Sequence, residues 1–169
     1  MGFFRSFYYA GRGLWFCLRH ERNFRIHLVV AAYVLVLAPY FSLTRGEWAA
    51  LLGVIGLVTA AEAVNTAVEQ AVNLAAPQRR MRARVAKDAA AGAVLLCAFA
   101  AAGAGFVLFA RWEIWLAVFA DFGTHVWKPV LLILSLPLAL WFILSGGRKN
   151  GVKGAAGADK TRSPRPPVS

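Results

Sequence analysis

The chain has 169 residues, 59% of them hydrophobic and 16% charged, and its mean hydropathy is +0.56. Average soluble domains are nearer half apolar and a quarter charged, so the composition argues against a water-soluble enzyme and for an integral membrane protein. Nineteen Lys and Arg against eight Asp and Glu give +11, a surplus that in so apolar a chain points to anionic lipid and phosphate and away from nucleic acid.

Residues 3–22 predict an amphipathic helix lying on the membrane surface. At helical spacing Phe4, Phe7, Tyr8, Leu14, Trp15 and Leu18 share one arc, and Arg5, Arg12 and Arg19 line its edge, where guanidinium groups reach lipid phosphates. A bilayer core of roughly 30 Å takes about 20 apolar residues as a helix. Four stretches meet that demand: residues 24–43, 48–76, 89–109 and 126–144. The fold class is therefore an all-α integral membrane protein. Cys17 and Cys97 form neither a disulfide framework nor a metal cluster.

Basic residues alternate along the chain. Five lie before the first span or in its first turn, one between spans one and two, five between two and three, two between span three and the first turn of span four, and six follow the fourth. That alternation predicts four spans with both termini cytoplasmic. Trp48, Trp112, Trp115, Trp127 and Trp141 fall near span ends and read as interfacial anchors. Residues 1–110 form one unit, 111–145 a linker with the last span, and 146–169 a basic tail with nothing to bury, expected to be disordered.

The second span carries Glu62-Ala-Val-Asn65-Thr66-Ala-Val-Glu69, then Asn73. A carboxylate at bilayer depth costs about 2.5 kcal/mol or more, so acids placed there are functional by default. At about 100° per residue these polar side chains fall within roughly 60° of Glu62. The opposite face is small and apolar (Ala60, Ala63, Val64, Ala67, Ala71), so the stripe is expected to face a crevice between helices. Counted from Trp48, Glu62 lies about 21 Å along the helix, in the inner leaflet, with Glu69 about 10 Å further, near the cytoplasmic boundary. Glu21, at the end of the surface helix, and Lys87-Asp88, opening the third span, are expected at the same level. Oxygen-only ligands favour Mg²⁺, which keeps several waters and binds through one or two carboxylates plus phosphate, and a neighbouring lysine neutralises phosphate. The arrangement suits a magnesium-bound nucleotide presented at a lipid surface.

Three blocks then carry a resemblance: Glu21-Arg-Asn-Phe-Arg-Ile-His27, Glu62-x-x-Asn65-Thr66-Ala67-x-Glu69, and Ala86-Lys87-Asp88-x-x-Ala91-Gly92-Ala93-Val94. Over roughly residues 3–109 the chain resembles the small prokaryotic membrane lipid kinases, the diacylglycerol kinase and undecaprenol kinase family. The resemblance implies ATP-dependent phosphorylation of a lipid alcohol, undecaprenol or diacylglycerol, by a homotrimer in the bacterial inner membrane. It implies Glu62 as catalytic base, Glu21 and Glu69 as metal-binding acids, and Asn65, Lys87, Asp88 and Tyr9 as further nucleotide-site positions. Asn73 departs from the family, which usually has an acid there, and the fourth span is additional to the family's three. The competing reading is a proton- or cation-handling protein using Glu62 and Glu69 as a relay. It predicts a titratable partner continuing the path outward, and residues 49–61 contain none.

Overall fold

A computed structural model of the chain describes residues 2–75 and 81–146. Among these residues the secondary structure is helical throughout: α1 (Phe3–His20), α2 (Arg22–Leu37), a 3₁₀ turn (Ala38–Phe41), α3 (Arg45–Ala75), α4 (Met81–Phe109), α5 (Trp112–Thr124) and α6 (Trp127–Ser145). Four segments are long and apolar enough to cross a membrane: Arg22–Phe41, Arg45–Ala75, Met81–Phe109 and Trp127–Ser145. The tail expected to be disordered lies, from residue 147, outside the described residues, as does the α3–α4 connection at 76–80.

Helix ends follow from local chemistry. Helix α1 stops at His20, two residues before the predicted boundary, because Glu21 takes an extended conformation (φ −105°, ψ 115°) while its N–H still bonds Cys17 O at 2.9 Å. Arg19 and His20 in the last turn suit the negative end of the α1 dipole. Helix α2 gives way to the 3₁₀ turn where Pro39 removes a backbone donor, and Ser42, at φ 46°, ends the turn in the left-handed region. Helix α3 starts three residues before Trp48 because Thr44 and Glu47 form a capping box. Glu47 accepts from Thr44 N at 2.7 Å and from Thr44 Oγ1 at 2.9 Å, and Glu47 N donates back to Thr44 Oγ1 at 3.3 Å. Helix α4 begins at Met81, well before the apolar stretch at 89, through a polar turn in which Arg84 pairs with Asp88 at 3.8 Å.

The linker expected at 111–125 folds as a helix, α5, thirteen residues long and so about 20 Å, too short to span. It forms because its apolar face has somewhere to go: Val118 is buried, and Ile114 and Trp115 pack on a core of Ala38, Phe41, Leu43, Leu51 and Leu108. The Phe41 ring meets Phe109 edge-on at 4.8 Å and Trp115 at 5.4 Å. Arg111 fastens the turn before α5, donating to Phe41 O at 3.0 Å and pairing with Glu47.

These contacts set the helix directions. Leu51, early in α3, shares a core with Leu108, late in α4, while Asn73, late in α3, bonds Lys87, early in α4, so the two helices are antiparallel. Helix α2 lies along α3, and α6 lies along α2, with Tyr33 Oη and Ser135 Oγ 2.9 Å apart. None of the α6 residues is buried, as expected for a helix that meets hydrocarbon on most of its surface. The core just described closes one end of the bundle. The acids of α3 lie toward the other.

Candidate active site

The polar stripe of α3 faces inward. Glu62 is 2% exposed, Asn65 9% and Thr66 3%, whereas Val64 on the other face is 62% exposed. The inward turn is enforced by helical period: small apolar residues take the outer face, and the side chains with hydrogen-bonding needs take the crevice against α1 and α2. Glu69 is half-buried and Asn73 exposed, so the stripe runs from an enclosed end to an open one.

The one-residue break at Glu21 presents a second set of side chains to this stripe. Glu62 has Glu21 and Glu69 within electrostatic reach, and the Asn23 amide donates to it. Cys17, one turn before Glu21, interacts through its thiol with the Thr66 hydroxyl. Burial holds the Cys17 thiol above its usual range; the Thr66 hydrogen bond opposes that shift, and the negative charges of Glu21 and Glu62 reinforce it. Thr66 also back-bonds to Glu62 O at 3.1 Å. Lys87 reaches across from α4 and donates to Asn73 Oδ1 at 2.6 Å, one turn beyond Glu69.

The structure thus brings Glu21, Glu62 and Glu69 together, sets Asn65 on the same face, and brings Lys87 to the open end of that stripe. Two expected members have other neighbours. The ion pair of Asp88 runs to Arg84 of its own helix, both side chains being largely exposed. Tyr9 is 53% exposed on α1, with its ring edge-on to Tyr8 at 5.7 Å. Two residues that spacing did not single out as site residues, Cys17 and Asn23, line the acidic group. For Cys17 the available signal is its position four residues before Glu21, one turn back on the same helix face.

The donor set suits a hard cation. Every acid in the group offers oxygen only, and the buried Asn65 Oδ1 beside them has no hydrogen-bond partner in the protein. Among the described residues no three His, Cys, Asp or Glu side chains could hold a metal ion by themselves. Beside the acids, α2, α3 and α4 enclose an apolar cleft of about 260 Å³ lined by His27, Ala31, Val58, Thr59, Ala98 and Ala102, starting one turn from Glu62.

Comparison with known proteins identifies the family. Residues 8–109 match the family model for prokaryotic diacylglycerol kinase. An undecaprenol kinase of Bacillus subtilis (strain 168) is 40% identical over 107 residues, 63% of this chain and 87% of that protein. A diacylglycerol kinase of Synechocystis sp. is 41% identical over 97 residues, 57% of this chain and 55% of that protein. A diacylglycerol kinase of Helicobacter pylori (strain J99) is 30% identical over 93 residues, 55% of this chain and 73% of that protein. No solved structure gives a significant match. The matched region ends where α4 ends, and within it lie both the acidic stripe of α3 and the Glu21 junction: the chain belongs to the prokaryotic diacylglycerol kinase family.

Proposed function

We propose that the chain transfers the γ-phosphoryl group of ATP to the hydroxyl of a membrane lipid alcohol, undecaprenol or diacylglycerol, at the cytoplasmic face of a bacterial inner membrane. The observation that carries this reading is the convergence of Glu21, Glu62 and Glu69 on one crevice, beside an apolar cleft and a lysine. Glu62, the most enclosed acid, acts as the general base that takes the lipid hydroxyl proton, since a base must come within hydrogen-bond reach of the group it activates. The neighbouring cleft receives the first part of the lipid chain. Asn23 holds the Glu62 carboxylate in orientation from the α2 side. Glu69, nearer the open end, and Glu21 are the residues that would hold Mg²⁺. Bound there, the ion would neutralise phosphate oxygens as charge develops, the main requirement of phosphoryl transfer. Asn65, Lys87, Asp88 and Tyr9 contribute to nucleotide binding. Lys87 releases Asn73 and neutralises phosphate as a point charge.

Helix α1 lies on the inner surface with its exposed aromatic residues among the headgroups, four helices span with both termini cytoplasmic, and three copies associate. The direct test incubates detergent-solubilised protein with labelled ATP, Mg²⁺ and each lipid alcohol separately. Label is expected in undecaprenol or diacylglycerol; label in neither overturns the assignment.

A further inference from the structure

Arg25 is 7% exposed, and its guanidinium is spent almost entirely on backbone. Nε donates to Leu18 O and Nη2 to Arg19 O at 3.2 Å, in the last turn of α1. Nη1 donates to Phe142 O and, at 3.0 Å, to Ser145 Oγ, in the last turn of α6. The Arg25 Cζ atom also lies 4.8 Å from the centroid of the Phe142 ring. The final four carbonyls of a helix have no intrahelical donor and carry its negative dipole end. One cation therefore serves two helix C-termini at once, from two helices that are far apart in sequence. A planar fork of five donors can do this where a lysine ammonium cannot.

The position of this clamp gives it a consequence. Leu18 and Arg19 immediately precede Glu21, and Arg25 N itself bonds Glu21 O at 3.4 Å. Glu21 is the single extended residue between α1 and α2. Whatever fixes the last turn of α1 against α2 fixes the direction in which the Glu21 carboxylate leaves the chain. Helix α6 lies outside the region matched by the family, yet it supplies half of the clamp.

We infer that Arg25 is a positioning residue through which the additional helix α6 sets the geometry of Glu21, so that docking of α6 on α2 tunes the affinity of the site for magnesium-bound nucleotide. The inference rests on the kinase reading for its effect on nucleotide, and on geometry alone for the coupling of α6 to the Glu21 junction.

The test uses the full chain in detergent, with amide hydrogen exchange and lipid-kinase kinetics measured on the same preparations. The Phe142→Ala/Ser145→Ala double variant removes the ring and the Oγ acceptor while keeping the Phe142 carbonyl, so exchange within residues 17–23 is expected to accelerate about two- to threefold. The KM for Mg·ATP is expected to rise about three- to tenfold with kcat within about twofold of wild type, the pattern of lost ground-state positioning. Arg25→Gln is expected to reproduce both effects more strongly; should it fail to fold, the double variant decides alone. Unchanged exchange at 17–23 in the double variant overturns the coupling. Faster exchange with an unchanged KM overturns its role in nucleotide affinity. A wild-type chain that labels neither lipid overturns the kinase reading, and the exchange result still decides the coupling.

Discussion

Glu62 combines near-complete burial with two neighbouring acids, and Asn23 is the polar contact that orients it. Replacing it by glutamine keeps the shape and an oxygen for Asn23 while removing the capacity to accept a proton. Glu62→Gln is therefore expected to lower kcat by about 10²- to 10⁴-fold, the range for a lost general base, with an unchanged thermal midpoint and a KM for ATP within about twofold. Asn65 offers the opposite test of function against stability. Its buried Oδ1 has no partner in the protein, so Asn65→Leu removes an unsatisfied group and is expected to shift stability by no more than about 1 kcal/mol while abolishing lipid phosphorylation. Equal losses of fold and activity would remove Asn65 from the site. The acids of α3 were legible in the sequence because a charge in an apolar span is conspicuous and helical period places the whole stripe on one face. Asn23 and Cys17 were not, because each becomes part of the site only through a contact between helices, which no single-helix pattern records.

At the scale of elements, hydropathy locates the part of a helix that meets hydrocarbon and is silent about the rest. It found all four long apolar helices but began α4 eight residues late and α3 three residues late, since polar turns extend both. The start of α3 was readable after all in Thr44-x-x-Glu47, a capping box. The helical form of the linker, α5, is not legible from hydropathy because it is too short for a span and its burial depends on Phe41 and Leu108 from other elements. The α5–α6 turn is tied by Asp121, which accepts from Lys128 and from Tyr40 Oη at 3.3 Å and pairs with His125 at 3.1 Å. The hydrogen bond from Lys128 holds the Asp121 carboxyl below the usual carboxylate range, against a smaller effect of lost solvation. With the folded-state value depressed, the contribution of Asp121 is fully present above about pH 4 and is lost as pH falls through the folded-state value. The thermal midpoint of Asp121→Asn should accordingly lie below that of wild type near pH 5, and the gap should narrow as pH falls below about 4. A gap that widens below about pH 4 would contradict this account.

At the scale of the whole molecule, α4 buries only Val94 and Leu108 of its 29 residues, and the cleft beside the acids is bounded by α2, α3 and α4 alone. A trimer of chains would cover such a surface, and native mass spectrometry from detergent should give three copies per particle; a monomer that retains full turnover would refute the shared assembly. Chelation of divalent cations should abolish lipid labelling at any ATP concentration, and Mg²⁺ should restore it in full, since two carboxylates facing a third cannot present a triphosphate unaided.

Helix α3 is pinned at its first turn by Thr44, Glu47 and Arg111, and with 31 residues it extends about 46 Å against a hydrocarbon layer of roughly 30 Å. A rod longer than its medium and fastened at one end behaves as a depth gauge, its graduations being the turns between Trp48 and Glu62. Lipids with longer tails would then sink the base away from the alcohol it must reach, and shorter tails would lift it out. Turnover in vesicles of graded acyl length should peak at one thickness, making this chain a reader of the very layer whose lipids it modifies.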